Sequence, residues 1–369
     1  MKRVLIIGAT GQFGSRLVSL LCREPGFQPI LAGRTAQRLS ALADALGGLE
    51  WLVADRTTLS AAEIRGARID MLVDASGPFA PHQTNLITQC LAVGVTYVDL
   101  ADNRAFVAGV AAMDADGGTI ITGASSTPAL SNAAAAALTH GWQSVDRLRV
   151  AISPANRQPR GAAVIASVLA GAGQPFALWD GGRWQTAHGW SGLCRIDFPH
   201  VGRRWASLYD APDNDALVSA FAPSDSARFY AGLEHPIMHL GLTLLTTLVR
   251  TRLLPTLAPF APALSRIADW MINYGNNRGG MIVEAEGRDA AGEAVAKRWW
   301  LRADNVSGPH VPVLPALATL RALSERRIGA GARSCTGFLT LDDFAADFAR
   351  LGIATGIEPF SPRAVRPER

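Results

Sequence analysis

Short apolar runs alternate with helical stretches over the first third of the chain. Six such runs, each bounded by Gly, Ser or Asp, are RVLIIG, QPILAG, LEWLVA, IDMLVDAS, VTYVDL and GTIITG. Between them, apolar residues recur at three- and four-residue spacing, which is typical of amphipathic helices. The pattern predicts repeated strand-helix-strand units from Arg3 to Thr122. Because strands so uniformly apolar are buried on both faces, we expect an α/β fold with a parallel sheet between two layers of helices.

The pattern changes after Gly123. SNAAAAALTHG predicts a helix, and the strands that follow are longer and alternate with polar residues, which favours a mixed α+β domain. GGMIVEAEG and EAVAKRWWLRA flank the turn RDAAG and predict a hairpin. Its polar faces are expected to pair two acids with two bases, namely Glu284 and Glu286 with Arg298 and Arg302. Near the end, LTLDDFAADFARLGI predicts an amphipathic helix.

The length supports more than one domain. The chain has 369 residues, and a single hydrophobic core stops growing at roughly 250–300 residues. We expect a first domain over residues 1–124, a second α+β domain over 125–335, and a C-terminal segment over 336–369 whose helix packs on the first domain.

Composition and charge exclude several classes of protein. Hydrophobic residues make up 49% and charged residues 18%, as in a globular chain rather than a disordered one. The net charge of +4 is dispersed, so no nucleic-acid partner is expected. Four well-separated cysteines and seven scattered histidines show no ligand spacing, so we expect reduced thiols and no metal site. Since no signal-peptide pattern begins the chain, a cytoplasmic location is expected.

The most apolar segment lies around residues 236–265. Its longest uncharged stretch ends at Arg250, short of the roughly 20 residues that span a bilayer, and several prolines follow. A core or pocket helix is therefore favoured, and a membrane-surface contact is the less favoured alternative. The segment is also suited to lining a site for an apolar substrate.

Three glycines follow the first strand in the stretch GATGQFG. Gly8 permits a sharp exit from the strand, Gly11 lets the backbone approach a pyrophosphate, and Gly14 lets the next helix lie close to the sheet. That helix directs its N-terminal N–H groups at the anion. Further backbone contacts are expected from Thr10, Gln12 and Phe13. The spacing has one residue more than G-x-G-x-x-G, and a purely structural turn is the alternative, but the flanking strand and helix favour a dinucleotide.

The end of the second strand indicates which dinucleotide. An acid there would accept hydrogen bonds from a ribose 2′-hydroxyl, whereas this chain reads Gly33-Arg34-Thr35. Arg34 and Arg38, one helical turn later, offer planar guanidinium groups to a 2′-phosphate, and Thr35 can cap the helix. The pattern predicts NADP(H); the alternative is that Arg34 is a solvated surface charge.

The ends of the third and fourth strands add cofactor contacts. Asp55 is placed to meet the adenine side, with an ordinary helix cap as the alternative. The loop after the fourth strand is expected to approach ribose or pyrophosphate, with a rigid turn as the alternative; its residues are Ser76, Gly77, Pro78 and Phe79.

At this point the chain resembles the saccharopine dehydrogenase/reductase-like family, which is distantly related to trans-acting enoyl reductases. The resemblance rests on GATGQFG, AGR, DASGPFAPHQTNLITQCLAVGVTYVDLADN and GASSTPALSN, and near the end on GPHVPVLPALATLRAL and GARSCTGFLTLDDF. The middle of the chain shows little likeness. The resemblance implies a Rossmann-type NADP-binding domain, an oxidoreductase with a cleft between two domains, and often a homodimer. It does not imply saccharopine as the substrate.

Tyr97 and Asp99 are catalytic candidates, because the family pattern has a tyrosine and an acid close to the nicotinamide. Reduction of a carbonyl, imine or activated alkene needs a proton as well as a hydride, and either group could donate it. The alternative is that Tyr97 packs in the core and Asp99 caps the next helix. Asp102 and Asn103, in the same cluster, are substrate-binding candidates.

Two further candidates lie later in the chain. In GASSTPALSN, Thr127 suits a helix N-cap before Pro128, so free N–H groups near Ser125 and Ser126 could hold a carboxylate or carbonyl oxygen. A bare cap is the alternative. Lys297 shares an apolar strand face with Trp299, where a lysine can serve as acid or base, although such lysines more often extend to the edge.

These observations predict an NADP(H)-dependent oxidoreductase. Hydride would pass between the nicotinamide and a C=O, C=N or activated C=C group of a small or apolar substrate. Two alternatives stay open: an NADP(H)-binding redox sensor or scaffold without turnover, and a peripheral membrane-associated protein.

Overall fold

The computed structural model describes residues 1–157, 162–304 and 306–361, with the backbone alone for residues 162–164. Its strands are β1 (Lys2–Ile7), β2 (Phe27–Gly33), β3 (Trp51–Val53), β4 (Met71–Asp74), β5 (Thr96–Asp99), β6 (Thr119–Thr122), β7 (Ser144–Ser153), β8 (Pro175–Asp180), β9 (Arg183–His188), β10 (Cys194–Phe198), β11 (Gly202–Leu208), β12 (Ser226–Gly232), β13 (Arg278–Arg288), β14 (Ala294–Asp304), β15 (Gly331–Ser334) and β16 (Ala354–Pro359).

Helices connect many of these strands. They are α1 (Gln12–Leu21), α2 (Ala36–Ala45), α3 (Ala61–Gly66), α4 (Asn85–Leu91), α5 (Arg104–Ala111), α6 (Ser131–Thr139), α7 (Ala162–Gly171), α8 (Asp213–Phe221), α9 (Pro236–Arg250), α10 (Ala261–Trp270), α11 (Leu314–Ser324) and α12 (Asp342–Leu351). Short 3-10 turns cover Ala258–Phe260, Ile272–Tyr274 and Gly308–Val313, and a π-type turn covers Ser126–Leu130.

The first compact unit comprises Met1–Leu130 and Pro309–Leu339. Its sheet is parallel, in the order β15-β6-β5-β4-β1-β2-β3. The predicted run of six strand-helix units is confirmed as β1 to β6, whose central strands are almost fully buried. Leu5, Leu72 and Tyr97 pack in one core cluster with residues of the neighbouring helices. The predicted Rossmann-type parallel sheet is therefore confirmed.

The second compact unit comprises Ser131–Gly308 and the described part of the stretch from Thr340 onwards. Its mixed sheet runs β10-β11-β12-β7-β13-β14-β16, with β8 and β9 attached beside β12. The predicted hairpin is confirmed as β13 and β14, with Glu284 opposite Arg298 and their charged groups 2.6 Å apart. Arg302 lies opposite Gly280 instead of an acid, and Glu286 pairs with Arg147.

The boundaries of the two compact units differ from the domain boundaries that we predicted. Residues 309–339 return to the first unit, because β15 extends the parallel sheet beyond β6. Helix α12 belongs to the second unit rather than the first, since β16, which follows it, pairs with β14. Each unit is thus assembled from two separate stretches of sequence.

Candidate functional site

The turn between β1 and α1 has no room for side chains at two of its glycines. Gly8 has a φ of +79°, a left-handed conformation that favours glycine, and a Cβ there would lie 2.9 Å from Ser76. A Cβ on Gly14 would lie 2.2 Å from the Gly8 carbonyl oxygen. Helix α1 therefore packs directly against the strand end. The predicted reasons for glycine at these two positions hold in the structure.

Gly11 is the N-cap residue of α1. Its N–H donates to the Gly8 carbonyl at 2.8 Å, which closes the turn. A glycine cap offers no side-chain acceptor, and the first N–H groups of any α-helix have no acceptor within the helix. The N–H groups at the start of α1, beginning at Gln12, together with the helix dipole, form a site suited to a phosphate.

Arg34 borders a cleft at the next strand end. The cleft has a volume of about 390 Å3, and its lining includes Arg34, Asp55, Thr58 and Glu63. Arg34 is exposed, as is Arg38. Thr10 lies beside this strand end as well, since its hydroxyl is 3.8 Å from where a Gly33 Cβ would be. The turn that could hold a diphosphate and the arginine that could hold a 2′-phosphate are thus neighbours in one unit.

Neither Asp55 nor Thr35 provides the side-chain helix cap considered for it. Asp55 Oδ1 accepts hydrogen bonds from the Thr57 N–H at 2.9 Å and hydroxyl at 2.6 Å, and these bonds lower the pKa of Asp55. It is not a helix cap, because Ser60 caps α3 with a reciprocal bond to Glu63. Thr35 is the N-cap residue of α2, but among the described residues its side chain accepts no capping hydrogen bond.

A buried ion pair that the sequence pattern did not predict fixes the loop after β4. Asp74 is fully buried, and its Oδ2 lies 3.2 Å from Arg56 Nη2. Its Oδ1 accepts from the Ser76 N–H and hydroxyl at 2.9 and 2.5 Å. Arg56 also donates to the Pro78 carbonyl at 3.2 Å. The signal was present in the sequence, because an acid that ends a buried strand requires a partner.

Phe79 belongs to the core of the first unit. Its ring lies 5.2 Å from that of Phe106 and 4.8 Å from the Arg56 guanidinium. Gly77, by contrast, has partly exposed backbone, and the Gly77-Pro78 peptide bond is cis. Ser76 and Gly77 are partly exposed and could contact a ligand, whereas the Phe79 side chain packs in the core.

Tyr97 and Asp99 are both buried in the first unit. Tyr97 is 1% exposed, burial raises its pKa well above the usual value, and its hydroxyl has no hydrogen-bond partner among the described residues. Asp99 Oδ1 accepts from Ala101 N–H, Gly123 N–H and Thr122 Oγ1 at 2.8–3.0 Å. Burial raises the pKa of Asp99 to about 7. Asp99 thus joins the end of β5 to the end of β6.

The helix after β5 is capped by another residue. Asn103 Oδ1 accepts from the Phe106 N–H at 2.9 Å, so Asn103 is the N-cap of α5 and the alternative of an Asp99 cap is wrong. Asn103 was a predicted substrate-binding residue, and this cap occupies its side-chain oxygen. Asp102, the neighbouring candidate, is exposed.

The turn after β6 is ordered by its own backbone. Ser125 N–H donates to the Gly123 carbonyl at 2.8 Å, so this N–H is not free for a ligand as expected. Thr127 is buried with extended φ and ψ of −124° and 129°, and regular α6 begins only at Ser131. Of the three residues predicted to form the anion site, Ser126 is partly exposed, whereas Ser125 and Thr127 are buried.

Lys297 lies in the second unit, on β14. Its ammonium group is 5.8 Å from the centroid of the Trp142 ring, and the residue is partly exposed. Trp299, two residues along the strand, is buried. The contact with Trp142 is that of a lysine extending along an aromatic surface.

Comparison with known proteins supports the resemblance that the sequence suggested. Residues 4–158 match the family model of the saccharopine dehydrogenase NADP binding domain. This match confirms the predicted NADP-binding domain and the family likeness, and it includes Gly8, Arg34, Asp74 and Asp99.

Curated relatives match over a shorter stretch. A Mycobacterium tuberculosis protein with the provisional name trans-acting enoyl reductase is 34% identical over 109 residues, which is 28% of this chain and 26% of that protein. A trans-acting enoyl reductase of Mycobacterium ulcerans is 32% identical over the same length and shares. The chain thus aligns with about a quarter of the length of these relatives.

Solved structures share the fold of the whole chain. Saccharopine dehydrogenase from Saccharomyces cerevisiae superposes with a TM-score of 0.68 at 12% identity, over 98% of this chain and 100% of that one. Homospermidine synthase from Legionella pneumophila, in complex with NAD, gives 0.60 at 14% identity, over 97% and 91% of the two chains. At this identity the likeness concerns fold alone, and it confirms the predicted fold class.

Proposed function

We propose that this protein is an NADP(H)-dependent oxidoreductase, acting on a C=O, C=N or activated C=C group of a small or apolar substrate. The observation that carries the proposal is the phosphate turn of Gly8 and Gly14 beside the cleft bordered by Arg34. The premise from the comparisons is the match of residues 4–158 to an NADP-binding domain.

The residues of the first unit fit this coenzyme. Because Gly8 and Gly14 carry no Cβ, the strand end, the loop at Ser76 and α1 pack closely, and the N–H groups at the start of α1 lie at the end of β1, where a diphosphate would bind. Arg34 is exposed at the cleft and offers paired N–H donors to a phosphate. Asp55 lines the same cleft and is suited to accept a hydrogen bond from an adenine amino group.

When bound, NADPH supplies a hydride, and the reduction also requires a proton. Asp99 fixes the relative positions of the turns that follow β5 and β6, which lie at the end of the sheet where ligands bind in such folds. We assign Asp99 and Asp74 as positioning residues for the loops at this end. Roles of Tyr97, Asp99 or Lys297 as the proton donor stay predictions, as does substrate contact by Ser126 and Asp102.

Coenzyme specificity tests the proposal directly. Arg34→Ala is expected to weaken NADPH binding by about 10- to 150-fold, because it removes charge-assisted hydrogen bonds to the 2′-phosphate. NADH binding is expected to change little. The measurement is titration of nicotinamide fluorescence with each coenzyme, and Arg23→Ala, an exposed arginine beyond the opposite end of α1, is the matched control. Equal loss for the two coenzymes would overturn the assignment of Arg34.

Turnover separates an enzyme from a sensor. NADPH oxidation is to be followed at 340 nm with a panel of aldehydes, ketones, cyclic imines and enoyl thioesters. Oxidation above the substrate-free rate, reduced in Arg34→Ala at low NADPH, supports the proposal. Tight NADPH binding without turnover across the whole panel would instead favour a redox sensor or scaffold.

A further inference from the structure

The segment between β12 and β13 is a helical insertion in the second unit. We call residues 236–274, which include α9 and α10, the apolar lobe. One side of it is packed: Val249 and Leu257 form a buried cluster with Trp190, and Leu245 and Leu264 pack against this cluster. This agrees with the core helix we expected, but only for one face of the lobe.

The lobe also exposes large apolar side chains. Six of them are more than half exposed: Ile237, Leu244, Leu253, Ile267, Trp270 and Tyr274. On α9 the exposed positions 237, 240 and 244 follow helical spacing, so they form one stripe opposite the buried Val249. A monomer rarely exposes so many large apolar side chains in one segment unless the surface binds something.

The two ends of the lobe are tied together. Glu234 Oε2 accepts from the Asn156 N–H at 2.6 Å and its Oε1 from the Asn276 N–H at 2.5 Å. The buried Arg204 lies 3.7 Å from Glu234 and donates to the Arg278 carbonyl at 2.6 Å. The chain therefore leaves the sheet and returns to it at one fixed point, and the lobe is a discrete projection of the second unit.

The charges of the lobe are mostly positive. Arg250, Arg252 and Arg266 are exposed, and within the described part of the chain none of them forms an ion pair. Asp269 is the acid of this segment. Arg250 and Arg252 also line a cleft of about 450 Å3 that includes His188. A segment that exposes both large apolar side chains and arginines complements a surface that is apolar inside and anionic at its edge.

The aromatic residues fit the same partner. The rings of Trp270 and Tyr274 lie 5.8 Å apart, and both residues are exposed. Tryptophan and tyrosine prefer the interface between lipid headgroups and acyl chains, and arginine extends to the phosphates. Because no helix in the described residues is long and apolar enough to span a bilayer, the lobe would lie in the plane of the interface.

A second copy of this chain is a poorer fit. In a two-fold dimer the same patch lies on both sides of the interface, so the interface would contain the exposed arginines of both lobes, with Asp269 as the acid of each lobe. Like charges at an interface disfavour association. Lipid phosphates supply the missing opposite charge.

We propose that the apolar lobe docks the protein on the surface of an anionic lipid bilayer. Apolar side chains of α9 and α10 enter the headgroup region, and the arginines contact lipid phosphates. The proposal concerns the second unit alone and does not rest on the oxidoreductase function.

The test is flotation of the full-length protein with vesicles of phosphatidylcholine alone or with 30% phosphatidylglycerol. The wild type is expected to float with the anionic vesicles and to bind pure phosphatidylcholine much less. The variant Leu244→Asp with Trp270→Asp is expected to lose at least tenfold in partitioning, because two apolar side chains no longer enter the interface. Arg250→Gln with Arg252→Gln is expected to lose about 30-fold on anionic vesicles.

Val306→Asp is the matched control, since Val306 is also exposed in the second unit but lies outside the lobe. An unchanged circular-dichroism spectrum and melting temperature show that each variant is folded. As a measurement on the wild type alone, brominated phosphatidylglycerol should quench tryptophan fluorescence. Absence of flotation with anionic vesicles, equal flotation of the lobe variants, or conversion of a dimer to a monomer by the lobe variants would each overturn the proposal.

Discussion

Asp99 shows how one buried carboxyl group can set the geometry of a strand end. Its Oδ1 accepts three hydrogen bonds from Ala101, Thr122 and Gly123, while Oδ2 has no hydrogen-bond partner among the described residues. Burial raises the pKa of Asp99 to about 7, because the charged form loses its hydration. The protonated form is therefore favoured in the folded protein over a range where the unfolded chain is ionised.

This difference predicts a pH-dependent stability. A raised folded-state pKa gives a contribution that is fully present below the unfolded pKa of roughly 3.9 and is lost as pH rises through about 7. Asp99→Asn should reduce the fall in unfolding free energy between pH 4.5 and 7.5 by about 1–4 kcal/mol. Urea denaturation at four pH values measures it. Part of the pH dependence of stability should remain in this variant, because the pKa of Asp213 is also raised to about 7. Asp44→Asn, at an exposed position, is the control. Parallel pH profiles for wild type and Asp99→Asn would contradict this account.

Helix α1 depends on close contact with β1 rather than on its own composition. Its buried side consists of Leu17, Val18, Leu20 and Leu21 with Gly14 at the point nearest the strand. The Gly8 carbonyl, which also accepts from Gly11 N–H, occupies the space where a side chain at Gly14 would be. The same contact determines where the N–H groups at the start of the helix are directed.

Gly14→Ala is therefore expected to displace α1. A Cβ 2.2 Å from the Gly8 carbonyl oxygen cannot be accommodated without movement of the helix, and overpacking of this type costs about 1–3 kcal/mol. Thermal unfolding and NADPH titration should both show the loss. Gly109→Ala, in α5 with open space around the glycine, is the control and should be neutral or stabilising by up to about 1 kcal/mol. If the two variants behave alike, the close-contact explanation is wrong.

At the scale of the whole molecule, the chain leaves the first unit and returns to it. After β14 of the second unit, residues 309–339 add α11 and β15 to the first unit, and the chain then returns to the second unit with α12 and β16. Arg321 of α11 forms two bonds to Glu24, just beyond α1, with Nη2 at 2.6 Å from Oε1 and Nε at 3.2 Å from Oε2. This ion pair joins residues nearly 300 positions apart in the sequence.

Arg321→Ala should destabilise the protein by about 1–2 kcal/mol, because the two-point contact is partly shielded from solvent. Arg327→Ala, which removes an exposed pair with the nearby Glu325, should change stability by less than about 0.5 kcal/mol. Denaturant titration of both variants checks the difference. Equal effects would show that the return of α11 does not depend on this pair. The predicted homodimer and the cytoplasmic location stay predictions at this scale.

Much of the first unit followed from local pattern. Six apolar runs with intervening helical spacing predicted β1 to β6, and the glycines of GATGQFG predicted the turn, because positive φ and close backbone approach exclude other residues. The charged face of the hairpin was also predictable from local sequence, because alternation along a strand determines which residues share a face. These features depend on neighbours within one or two elements.

Other features depended on residues far apart in the chain. Residues 331–334 show no apolar run that would predict a strand. They become β15 because they form hydrogen bonds with the otherwise unpaired edge of β6. The pairing of Asp74 with Arg56, the burial of Tyr97 and the cap at Asn103 arise from packing that periodicity does not specify. The apolar segment at 236–265 was visible in the sequence, but which of its side chains face water was decided by the tertiary structure alone. Local sequence determines conformation and periodicity, whereas burial and pairing depend on which distant segment fills the remaining space.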